Sequence, residues 1–311
     1  TAIFCGRYGL NLDRTSNVLI QENEVRQATN GIILQNKAFG NLLLGNRIEE
    51  NIRHGIQFNT TVLSNWVIGN LIRGNGSNGL YSSCGENPNF FLSNQVHSNG
   101  TDGMRLEYLT NGLVAYNNVS SNYRFGISFY RIHSNEIRGN TIFMGLAQRE
   151  GLHPESICTS NLYVSNQVTG HMLTTGYGFS GSGGTLTSDI LVNNIFLSNY
   201  RGIYLSTSSN VSVWGNEVGF SSNSGLETGS GSLSCSFSSN TFYGNGLPNV
   251  GNGIYTVAGG RHLIISNHAF SNYTGFRGGY CNSNQWIGNY THDNVRGFVP
   301  VYESNALYAS N

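Results

Sequence analysis

Apolar positions along the chain come in short alternations that restart after glycine. The segments "NGIILQ", "HGIQFN", "RGIYLS" and "NGIYTV" share one pattern: a glycine, then an apolar, a variable and a second mostly apolar residue. Each is followed by an Asn, a short apolar alternation and then N-x-Φ-x-x-N, where Φ is apolar, as in "NGIILQNKAFGNLLLGNRIEENIR" and "HGIQFNTTVLSNWVIGNLIRGNGS". The text repeats every 22–27 residues or so, a period that signals a solenoid. Alternation over a few residues predicts strands, and the Asn, Gly and Ser between them predict turns. No long 3.6-residue stripe is present. Three strands and three turns per repeat describe one rung of an all-β, parallel β-helix. Its rungs would stack ~4.8 Å apart, and no rung could bury its own apolar side chains. Asn fits twice, as a residue that tolerates the left-handed turn conformation and as an amide able to bond the Asn of the next rung.

Composition narrows the class. The chain has 311 residues, no net charge and only 10% charged residues, against roughly 25% in an average domain. Nucleic acid and anionic membranes are held by Lys and Arg, so neither is an expected partner. No apolar run approaches the ~20 residues of a membrane helix. The five cysteines lie far apart without a CxxC pair, which is neither a zinc pattern nor a dense disulfide framework. The histidines are scattered and no metal constellation stands out. "THDN" at 291–294 reads as a turn cap. There is no Walker loop, dinucleotide fingerprint or nucleophile elbow, so neither metal nor cofactor is expected.

The repeat resembles the right-handed parallel β-helix superfamily, and within it the NosD-like, mannuronan-epimerase-like and pectate-lyase-like repeats. The resemblance covers nearly all of the sequence. It implies a single right-handed solenoid domain over residues 1–311, of about a dozen rungs, outside the cytoplasm: extracellular, cell-surface or periplasmic. "TAIFCGR" and "VYESNALYASN" do not read as caps. The expectation is that caps lie in further chain or that rods associate end to end.

In G-Φ-x-Φ-x the Φ positions should face inward and the x positions outward. Taken rung by rung, the outer row includes Ile33, Gln57, Tyr81, Arg105 with Glu107, Ser128 with Tyr130, His153 with Glu155, Tyr204, Glu227, Tyr255 and Arg277. In so charge-poor a chain, Tyr, Arg and Glu concentrated on one row suit a polysaccharide. Rings stack on pyranose faces, and polar groups fix hydroxyls and carboxylates. Tyr81, Arg105, Glu107, Tyr204, Glu227 and Tyr255 are therefore candidate sugar-binding residues. Long turns, "TIFMGLAQRE" and "QVTGHMLTTGYG", bracket the rung of His153 and add Arg149, Glu150 and His171; a third is "TFYGNGLPNVGNG".

The segment "EGLHPES", 150–156, departs most from its siblings. Pro154 removes a ladder donor and predicts a local break in the sheet. The text resembles the epimerase signature tyrosine-glycine-aliphatic-Asp-Pro-His at Gly151, Leu152 and Pro154 only. His153 stands where the family has Asp, and Glu155 where it has its catalytic His. The resemblance thus implies a location rather than a reaction. For a lyase or epimerase, His153 would be the base, Arg149 or Arg105 would hold a uronate carboxylate, and Tyr130 or Tyr204 would donate the proton. For a glycosidase, the carboxyl candidates are Glu107, Glu155 and Glu227. The catalytic candidates are thus His153, Glu155, Arg149 and Tyr130. The competing expectation is a non-catalytic rod, such as an adhesin, a filament subunit or a phage fibre segment, that binds glycans without processing them.

Overall fold

A computed structural model describes residues 2–3, 6–143, 149–170, 176–246 and 250–311. The chain divides into two compact units, Thr1–Gln148 and Arg149–Asn311. Among the described residues every regular element is a strand, and every pairing given is parallel. Each turn of the chain contributes one strand to each of three sheets, and the two units together hold about a dozen turns.

In the first unit the G-Φ sheet runs through Tyr8–Asp13, Asn30–Gln35, Ile56–Phe58, Leu80–Ser83, Met104–Glu107 and Phe125–Tyr130. The registers stack like on like: Ile32, Ile56, Leu80, Met104 and Ile127 form one inward column, and Val25, Ile48, Ile72, Val96 and Val119 another. All are fully buried. In the second unit Leu152, Phe179, Ile203, Leu226, Ile254 and Phe276 make the corresponding column. No rung closes its own core. Each apolar side chain is covered by those of the rungs above and below, so apolar burial comes from stacking.

The glycine that opens each rung has a packing reason. A Cβ on Gly55 would stand 2.7 Å from the carbonyl oxygen of Gly79 and 2.7 Å from the Ile72 side chain. The chain turns so tightly into the sheet that only a hydrogen fits.

Asn plays both of its expected parts, at different positions. Asn23, Asn46, Asn70, Asn94, Asn117 and Asn140 form a continuous ladder in the first unit. At Asn70, Oδ1 accepts from the backbone and amide nitrogens of Asn46 at 2.8 and 2.9 Å. Its Nδ2 donates to the Leu43 and Ile68 carbonyls and to Asn94 Oδ1 at 3.0, 3.1 and 3.0 Å. That satisfies a buried amide that would otherwise be costly. The left-handed conformation falls mostly on the preceding residue: Gly45, Gly69, Ser93, Tyr116 and Gly139 have φ between 54° and 63°. Within the ladder, turn and hydrogen bonding are therefore divided between neighbouring residues, while Asn17, Asn36, Asn111, Asn193, Asn210 and Asn305 take the left-handed conformation themselves. The second unit repeats the ladder through Asn166, Asn194, Asn216, Asn240, Asn267, Asn289 and Asn311.

Candidate functional site

The sequence-predicted residues divide between the units. Tyr81, Arg105, Glu107 and Tyr130 lie in the first. Arg149, His153, Glu155, Tyr204, Glu227 and Tyr255 lie in the second. His171 and residues 144–148, 171–175 and 247–249 of the three long turns lie outside the described residues.

In the first unit, the outer row follows the expected register: Ile33 pairs with Gln57, Gln57 with Tyr81, Tyr81 with Arg105, and Arg105 with Ser128. The polar groups on it satisfy one another. Arg105 Nε donates to Glu107 at 2.6 Å, and Tyr81 Oη donates to the same carboxylate at 3.0 Å. Burial and the Glu107 charge raise the Tyr81 phenol above its ordinary pKa. Tyr81 also stacks on His54, with centroids 4.9 Å apart. Tyr130 packs edge-on to Tyr108, and Arg131 lies over its ring. Ile33 and Ser128 are buried rather than exposed, and Ser128 Oγ donates to Asp102 Oδ2 at 2.7 Å.

The second unit holds the distinctive segment on the strand Glu150–Thr159. Its neighbour is interrupted. Leu152 pairs with Phe179, and Glu155 with Gly183. His153 and Pro154 thus face three residues, Ser180, Gly181 and Ser182. This is a one-residue bulge, located where Pro154 has no N–H to offer. The break read from Pro154 is present, and the strand on the other side of the pair absorbs it. Ser180 Oγ holds the bulge by donating to Ser182 Oγ at 2.8 Å.

His153 is 5% exposed, which corrects the expectation of an outward surface side chain. The ring is enclosed by carboxylates. Its Nδ1 pairs with Glu150, and its Nε2 lies 3.3 Å from Glu155 Oε1. Gly183 passes so close that a Cβ there would touch the ring at 3.6 Å. Burial works against a charged imidazole, but hydrogen bonds and attraction from Glu150 and Glu155 together outweigh it. The pKa is pushed up to about 9. At neutral pH His153 is therefore an imidazolium, not the free base expected from its ordinary value. Arg149 is exposed.

A second cluster lies on the following rungs. Ser180, Tyr204, Glu227, Tyr255 and Arg277 occupy one register row, as the sequence reading placed the last four. Beside it stands a second row, the residue just before each glycine: Glu150, named from the sequence, with Tyr177 and Arg201, which the sequence reading missed. Arg201 Nε donates to Glu227 at 2.7 Å, and Nη1 donates to Tyr177 Oη at 3.0 Å. Its guanidinium lies 5.1–5.5 Å from the ring centroids of Tyr177, Tyr200 and Tyr204. Tyr177 and Tyr204 stack at 5.3 Å. Burial opposes the Arg201 charge, but Glu227 more than offsets this and its pKa is raised. Arg277 lies 4.6 Å from the Tyr255 ring. The signal for this row was available. The position before the glycine is repeatedly polar, with Asn30, His54, Asn78, Asp102 and Glu150, and all five are buried.

The family model of the right-handed beta helix region matches residues 8–153. No protein of curated function matches the chain in sequence. Among solved structures, the periplasmic alginate epimerase AlgG is 15% identical with a TM-score of 0.55, covering 94% of this chain and 77% of that one. The A-module of the Azotobacter vinelandii mannuronan C-5 epimerase AlgE4 is 12% identical with a TM-score of 0.52, covering 91% and 88%. At such identity the likeness concerns the fold. With glycine-led rungs, parallel registers and Asn ladders, the chain has the right-handed parallel β-helix fold, and the family model covers just under half of it.

Proposed function

We propose that this protein handles a polysaccharide outside the cytoplasm, along the outer row of its G-Φ sheet. The observation that carries the reading is the single register row of Tyr204, Glu227, Tyr255 and Arg277, with Arg201 held among three tyrosines beside it. Flat rings and paired charges on one strand row offer stacking faces and fixed hydrogen-bond groups to successive sugars. In the first unit, Tyr81, Arg105 and Glu107 present the same chemistry. The alginate and mannuronan epimerases with the same fold act on uronans, which supports a polyuronate among the substrates to test.

The processing chemistry we assign is of the lyase or epimerase type, centred on His153. Removing the proton beside a uronate carboxylate needs a base, an acid and a cation. The imidazolium of His153 supplies the acid. Glu155 beside it supplies the base, and the exposed Arg149 meets the substrate carboxylate. A second reading, glycan binding without turnover, is favoured by one observation: His153 is 5% exposed and its charge is already matched by two carboxylates.

The test is incubation with polyuronates and neutral glycans. Ultraviolet absorbance reports unsaturated products, proton NMR reports epimerised residues, and a reducing-end assay reports hydrolysis. Turnover abolished by His153→Gln and Glu155→Gln supports processing at this site, and turnover that survives the double variant refutes it. Binding without turnover, weakened by Tyr204→Ala and Tyr255→Ala, supports the second reading. No binding to any glycan refutes both.

A further inference from the structure

We infer that His268 and His292 form a two-imidazole site for a divalent transition metal of the copper(II) or nickel(II) kind. The two residues lie on adjacent strands of the second unit, His268–Phe270 and Tyr290–His292. His268 pairs with Tyr290 and Phe270 with His292, so the two histidines stand diagonally across the strand pair. Their Nε2 atoms converge to 2.9 Å.

The protonation of the pair is constrained from one side. His292 Nδ1 lies 2.7 Å from Asp293 Oδ2. A carboxylate only accepts, so Nδ1 carries the proton and the lone pair of His292 is on Nε2, aimed at His268. A carboxylate that fixes the ring tautomer in this way is the usual support of a metal-binding imidazole. The rings are also held in place. Phe270 stacks on His292 at 5.3 Å and 3°, and Phe270 and Tyr290 flank His268 at 4.9 and 5.2 Å. Both histidines are partly exposed, which leaves a path for an ion.

The separation selects the geometry. Metal–imidazole bonds are about 2.0–2.1 Å. Two such bonds at a right angle put the nitrogens about 2.9 Å apart, and at a tetrahedral angle about 3.4 Å. The observed 2.9 Å fits neighbouring positions of a square-planar or octahedral ion. Copper(II) and nickel(II) prefer such positions, and copper(II) binds most tightly in the divalent series. No cluster of three or more His, Cys, Asp or Glu suited to a metal occurs among the described residues. Water would therefore complete the coordination, and the affinity is that of a two-ligand chelate.

The experiment titrates the untagged protein with copper(II), nickel(II) and zinc(II) in a non-coordinating buffer, by calorimetry, with electron paramagnetic resonance of the copper form. The expected result is one copper per chain at this site, with hyperfine splitting from two imidazole nitrogens and zinc bound more weakly. His268→Gln and His292→Gln should each weaken copper at least tenfold and reduce the splitting to one nitrogen. Asp293→Asn should weaken it by about tenfold, and His97→Gln should leave it unchanged. Equal affinity in the His268→Gln/His292→Gln double variant, with native circular dichroism, would overturn the site. So would a wild-type spectrum without two-imidazole coordination, which requires no variant; the pair would then be an ordinary N–H···N hydrogen bond.

Discussion

His153 Nε2 lies 3.3 Å from Glu155 Oε1, across a proline that interrupts the strand ladder. With Glu150 on the other ring nitrogen, two acidic side chains hold one buried cation. The folded-state pKa, about 9, is raised above an unfolded value of about 6.5. The arrangement therefore contributes stability that is complete below about pH 6.5 and lost as pH rises through about 9. Thermal melts from pH 6 to 10 should fall more steeply for wild type than for His153→Gln. The difference should be about 1–3 kcal/mol at neutral pH. Parallel pH profiles would contradict the ion-pair account.

Asp189 occupies a ladder position where sibling rungs have Asn. Its Oδ1 accepts from the backbone and side-chain nitrogens of Asn161 at 2.6 and 3.0 Å, while Oδ2 is buried without a hydrogen-bond partner among the described residues. Burial pushes its pKa up to about 7 despite those two bonds. A raised carboxyl pKa means that folding favours the protonated acid. Stability should therefore fall as pH rises from about 4 to about 7. Asp189→Asn should remove that slope and raise the urea midpoint at pH 8, a gain of about 1–2 kcal/mol in unfolding free energy. A variant no more stable than wild type at pH 8 would refute this reading.

Asn70 tests the ladder itself. Replacement by Ala leaves the Asn46 backbone N–H without its acceptor inside the turn and removes the bonds from the Asn70 amide to the Leu43 and Ile68 carbonyls. The expected loss is about 1–3 kcal/mol in chemical denaturation.

Gly55 tests the close approach of rungs. Its missing Cβ would meet backbone oxygen as well as side chains, so Gly55→Ala forces neighbouring rungs apart. The expected cost is about 1–3 kcal/mol, against a near-neutral effect of Gly6→Ala, where no atom lies within 4 Å of the added carbon. Equal melting temperatures for the two variants would remove the packing explanation of the repeated glycine.

The sequence by itself determined the rung. Period-two alternation, the glycine before each apolar pair and the recurrent Asn are local signals, repeated often enough that the register of Tyr204, Glu227, Tyr255 and Arg277 could be read without coordinates. Repetition makes this possible, because every rung packs on a near copy of itself and a face read once can be read along the sheet. The sequence did not determine protonation or partnership. That His153 lies enclosed between Glu150 and Glu155, that Arg201 is held by Glu227 and three tyrosines, and that His268 meets His292 all depend on where side chains from different rungs end. Those distances are set by stacking, by the bulge opposite Pro154 and by burial, which no spacing along one strand records. Composition and alternation fix which face a residue occupies. Only the assembled rungs decide what it meets there, and therefore its charge.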